Sequence, residues 1–79
     1  MTYEEILQTI IRSIRIETGY GGEITEASDA NSIDGWDSIA HIRIMYRIEM
    51  LLGIEMDMLE TYSASNIREL AILATKGTV

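Results

Sequence analysis

The stretch Asp34-Gly-Trp-Asp-Ser-Ile-Ala-His-Ile-Arg-Ile-Met-Tyr-Arg-Ile-Glu-Met-Leu-Leu-Gly-Ile54 decides the fold. A short polar turn runs directly into apolar residues at helical spacing. On a helical wheel His41, Ile44, Met45, Ile48, Leu51 and Leu52 form one broad arc, which predicts a helix over Ser38–Leu52. Asp37 precedes it as an N-cap candidate, with its carboxylate near the positive end of the helix. Gly53 follows as a C-terminal stop. Ile39, Tyr46 and Met50 fall on another side, with Arg43 and Arg47 beside them.

Working outward, the N-terminal segment opens on Thr2 and Glu5, spaced as a capping box. Tyr3, Ile6, Leu7, Ile10, Ile11 and Ile14 then recur on one face, so a helix is expected over residues 3–17, ending before Gly19. Residues 18–36 read as a long loop. Gly19, Gly21 and Gly22 break regular structure at its start. Ile24 and Ile33 are its apolar anchors, and Glu23, Glu26 and Asp29 keep it solvated. Loops of this length in small domains are usually functional or disordered. Residues 57–61 read as a short third helix or a single turn, and Tyr62 as a core plug. Asn66, with Glu69 three residues on, opens the last helix as a second capping box. Its inner face is Ile67, Leu70, Ala71 and Ala74, and Lys76-Gly77 marks its end.

No segment alternates at the period of a strand. The expected architecture is all-α: one domain over residues 1–79, a four-helix bundle with three main helices and a short third one. The shared core is expected to hold Ile10, Ile14, Ile42, Met45, Ile48, Tyr62, Ile67 and Leu70.

Composition bounds the chemistry. With 79 residues the core is modest, and with no cysteine and one histidine neither a disulfide nor a metal cluster can staple it. Aliphatic packing must carry stability. A thiol for thioester chemistry would have to come from a prosthetic group. The formal net charge of −7 opposes nucleic-acid binding and attraction to anionic membranes. No apolar run approaches bilayer length and no leader pattern opens the chain, so a cytoplasmic protein without membrane insertion is expected. Asp29–Trp36 has a superficial likeness to a calcium loop. Aligning Gly35 with the obligatory glycine puts Ala30 and His41 at ligand positions, so calcium is set aside.

Asp37-Ser38-Ile39, followed by Ile42, Ile44, Met45, Ile48, Glu49, Leu52 and Ile54, resembles the attachment site and second helix of acyl carrier proteins and peptidyl carrier domains. Trp36 before it and Ala40-His41-Ile42 after it resemble discrete carriers that read Trp-Asp-Ser-Leu, with Ile39 in place of the leucine. The resemblance covers nearly the whole chain and includes the long first loop. It implies that Ser38 carries 4′-phosphopantetheine, attached covalently from coenzyme A by a phosphopantetheinyl transferase. Asp37 would then help to hold Mg²⁺ during attachment, in the complex with that enzyme, and no resident metal is expected. A helix N-terminus offers a phosphate free amides and a positive dipole end.

His41, one turn after Ser38, is expected at the rim of a cleft between the second and third helices, within reach of the arm or its cargo. Ser38 and His41 alone supply neither an orienting acid nor an oxyanion site, so the chain is read as a carrier and not an enzyme, with no catalytic residues. Ile39, Arg43, Tyr46 and Arg47 are the expected docking face for partners. Those partners would be a loading ligase or synthase for acyl or aminoacyl groups, then tailoring or transferase enzymes, all acting on a monomer. Arg43 stands where carriers of fatty-acid synthesis usually have an acid, which implies a specialised biosynthetic pathway. The alternative is an acidic helical adaptor that keeps the carrier fold without the prosthetic group.

Overall fold

The computed structural model of the protein describes residues 1–77; Thr78 and Val79 lie outside the described residues. Among the described residues four helices form a small bundle: α1 (Tyr3–Thr18), α2 (Ser38–Leu52), α3 (Met58–Ser63) and α4 (Ile67–Gly77). A single 3₁₀ turn, Ala30–Ser32, lies in the long loop, and no strand occurs among the described residues. α1 packs along both α2 and α4, and the short α3 bridges α2 and α4 more lightly.

The local signals that start and stop these helices act as their chemistry demands. Thr2 Oγ1 accepts from the Glu5 amide at 3.1 Å, and the Glu5 carboxylate accepts from the Thr2 amide at 2.8 Å. Gly19 closes α1 at φ 71° and Gly53 closes α2 at φ 67°, both in the left-handed region that a side chain disfavours. α1 runs one residue past the expected Glu17, because the Gly19 cap bonds back to the Arg15 carbonyl.

The core is aliphatic. Ile10, Ile14, Ile44, Met45, Ile48 and Ile67 are fully buried, with Leu70, Ala71 and Ala74 beside them. Ile24 and Ile33 are buried against this cluster, so both loop anchors are in place. Ile42 and Tyr62 depart from the expected core, at 41% and 50% exposed. Ile42 is rotated about 100° from His41 on the wheel, which carries it past the edge of the buried arc. Leu51 is likewise exposed at the opposite edge, and Tyr3 at the free end of α1. Ala40, Ile44 and Thr61 fill part of the interior in their place.

The long loop is ordered by contacts that span the chain. Arg15 donates to the carbonyls of Tyr20 and Gly22, pinning the loop start to α1. The loop backbone then caps α4: the Ile67 amide donates to Ser28 O at 2.9 Å, and the Arg68 amide to Glu26 O at 3.0 Å. Asn66 accepts from the Glu69 amide as expected, but the Glu69 carboxylate reaches Ser65 instead of closing the box on Asn66. Glu26, expected to be merely solvated, accepts from the Tyr3 hydroxyl and faces Arg68. Where the loop returns to α2, a Cβ on Gly35 (φ 93°) would lie 2.8 Å from the Thr18 carbonyl oxygen. Only glycine lets the turn sit that close to the end of α1. Asp29, set aside above as a metal ligand, instead caps the 3₁₀ turn through the Ser32 amide.

Candidate functional site: the N-terminus of α2

Asp37 is the N-cap of α2: its carboxylate accepts from the Ala40 amide at 2.8 Å and its carbonyl from the His41 amide at 2.9 Å. Ser38 is therefore the first helical residue and not the cap. Its hydroxyl is exposed and makes no hydrogen bond among the described residues. The amides of Ser38 and Ile39 likewise have no acceptor among the described residues. An uncommitted hydroxyl thus sits on a helix end that presents free N–H groups and positive potential.

Behind this end lies a closed polar set. The Trp36 indole Nε1 donates to His41 Nδ1 at 3.1 Å. The indole can only donate, so Nδ1 is bare and the imidazole proton is on Nε2. His41 Nε2 then donates to Thr61 Oγ1 at 2.9 Å, and the Thr61 hydroxyl donates to the Met58 carbonyl at 2.6 Å. The ring of Tyr62 stacks on His41 with centroids 4.2 Å apart. His41 is only 6% exposed, buried deeper than the rim position expected of it, and burial lowers its pKa from the ordinary 6.5. Its side-chain partners come from two segments, so His41 on α2 joins the turn before it to α3.

A groove of about 470 Å³ runs past this set, between the 3₁₀ turn and the α3–α4 junction. Trp36, His41 and Tyr62 line one part of it, and Asp29, Asn31 and Asn66 another. The sequence points to His41 at the rim of a cleft between α2 and α3 and not to this groove, and Thr61, twenty residues further on in a short helix, gives no local signal.

The expected docking residues separate into two groups. Ile39, Arg43 and Tyr46, joined by Met50, which was not among them, form an exposed stripe on the side of α2 facing away from the core. Arg47 turns toward α1, where Nε and Nη2 reach Glu17 Oε2 at 2.9 and 2.6 Å. The two arginines therefore do not form an unpaired basic pair: Arg43 is the exposed cation and Arg47 ties α2 to α1. Glu49 is also committed, accepting from the Met56 amide at 2.8 Å.

Among the described residues no group of three or more His, Cys, Asp or Glu side chains is placed to hold a metal ion. No described helix is long and apolar enough to cross a membrane. Comparison with protein-family models, with curated proteins and with solved structures finds no match to this chain.

Proposed function

We propose that the protein is a carrier whose Ser38 is modified with 4′-phosphopantetheine and holds acyl or aminoacyl cargo for partner enzymes. The observation that carries this reading is the free Ser38 hydroxyl at the first position of α2. Serine at a helix start is ordinarily a cap, and here Asp37 already does that work. What remains is an exposed hydroxyl oxygen on a rigid element, beside the amides of Ser38 and Ile39, which have no acceptor among the described residues.

The residues fit the group. Ser38 Oγ would bear the phosphodiester, and the amides of Ser38 and Ile39 would face its negative charge. The prosthetic group supplies the thiol that this cysteine-free chain lacks. Asp37 holds the helix end in register while its carboxylate remains exposed to a transferase-bound Mg²⁺. Ile39, Tyr46 and Met50 offer partners apolar area, and Arg43 offers a positive charge on an otherwise acidic molecule. The test is co-expression with a broad-specificity phosphopantetheinyl transferase followed by intact-mass measurement. A gain of one phosphopantetheinyl group supports the carrier, and an unmodified chain supports the helical adaptor.

A further inference from the structure

A tethered cargo can enter the aliphatic core behind α2 or lie along the outside. We propose that the hydrogen-bonded Trp36–His41–Thr61 set is a plug that closes the interior to cargo, so that this chain presents a short, polar acyl group, an aminoacyl group foremost, in the outer groove. The inference rests on the carrier reading and deepens it to a cargo class.

The plug stands at the required place. His41 is one helical turn from Ser38, and its ring bridges α2 to Thr61 on α3. Both imidazole nitrogens are bonded, and the chain of donors ends on a backbone carbonyl. Tyr62 covers the exposed side of the ring. A hydrocarbon chain entering here would have to displace His41, leaving the Trp36 N–H without its acceptor and the imidazole Nε2–H without the Thr61 oxygen. Nothing on an alkyl chain replaces those bonds. Further along α2, Ile44, Met45 and Ile48 are fully buried in the core cluster.

The groove outside is mixed, with Trp36, Tyr62 and Leu70 lining it beside polar side chains. Asp29, Asn31 and Asn66 on its walls offer a carboxylate and two amides. A long alkyl group laid there would cover polar groups without pairing them. An α-amino group can pair with the second oxygen of Asp29, whose Oδ1 already accepts from the Ser32 amide, and Asp29, the single charged group on the walls among the described residues, has the complementary sign.

The experiment is NMR of the full chain carrying non-hydrolysable alanyl or octanoyl arms, installed from the corresponding coenzyme A analogues, against the holo protein. The expected result is a shift of the Asn31 and Asn66 amide signals and the Trp36 indole signal with the alanyl arm. The methyl signals of Ile44, Met45 and Ile48 should stay unmoved with either arm. Core methyls that move with the octanoyl arm, or groove signals that ignore the alanyl arm, overturn the plug and its cargo class while leaving the carrier intact. Failure of any arm to attach, seen by mass before the spectra are recorded, overturns the carrier reading and this inference with it.

Discussion

Ser38 and Asp37 are neighbours with separable jobs, and single substitutions tell them apart. Asp37 makes the capping bond, so Asp37→Ala is expected to lower stability by about 1 kcal/mol in chemical denaturation. Ser38→Ala removes a hydroxyl that bonds nothing among the described residues, so the change should stay within about 0.5 kcal/mol. A Ser38→Ala penalty as large as that of Asp37→Ala would mean that the hydroxyl is structural. His41 adds a pH signature. Its folded pKa lies below the ordinary 6.5 because burial disfavours the cation, and a proton on Nδ1 would also face the Trp36 N–H. The unfolded chain therefore binds the proton first. The stabilisation is complete above about pH 6.5 and is lost progressively as pH falls toward the folded pKa. Between pH 7.5 and 5.5 the wild type should lose more stability than His41→Gln, as read by parallel denaturation curves. Equal losses would show that His41 does not titrate differently on unfolding.

At the scale of the element, α2 carries three different faces. Its inner face packs through Ile44, Met45 and Ile48; one flank holds Arg47 against Glu17; its outer face shows Ile39, Arg43, Tyr46 and Met50. Reversing both arginines together would mix recognition with stability. Arg47→Glu sets two carboxylates against each other in a partly buried position, and should cost about 1–2 kcal/mol. Arg43→Glu should leave stability nearly unchanged, slow loading of the holo protein at low salt, and flatten the salt dependence of the loading rate. Loading rates equal to wild type at every ionic strength would remove Arg43 from recognition. The helix itself was legible in the sequence because its signals are local: the Asp37 cap, the 3.6-residue period and the Gly53 stop. The Arg47–Glu17 pair joins residues thirty apart, and no spacing rule on α2 alone exposes it.

At the scale of the molecule, a small aliphatic bundle depends on each fully buried side chain. Ile48 is wholly buried, so Ile48→Ala should cost about 2–5 kcal/mol. Ile42→Ala, at a position 41% exposed, should cost less than about 1 kcal/mol. Thermal or chemical denaturation of the two variants checks the register of α2 against the core, and the reverse order would contradict it. The same contrast shows where reading the chain fell short. Helix faces are legible as arcs, but the edges of an arc depend on what packs beside it, so Leu51 is exposed; Ile42 and Tyr62, expected in the core without a place on any arc, are exposed as well. The loop anchors Ile24 and Ile33 were legible as isolated apolar residues. The capping of α4 by the Glu26 and Ser28 carbonyls was not, since every residue has a carbonyl and only the fold selects which one is used. At the site, Ser38, Asp37 and His41 stood out by position, while Thr61 became visible only once α3 lay against α2.

The central claim is that the free hydroxyl of Ser38 accepts a phosphopantetheinyl group, and peptide mapping reaches it most directly. Trypsin cuts after Arg15 and Arg43, releasing Ile16–Arg43, which contains Ser28, Ser32 and Ser38. After exposure to coenzyme A and a broad-specificity transferase, fragmentation of this peptide should place a single phosphopantetheinyl group on Ser38. The Ser38→Ala protein, folded as the wild type, should carry none. A group found on Ser28 or Ser32, a group retained by Ser38→Ala, or a wild-type peptide left unmodified by several competent transferases would contradict the account.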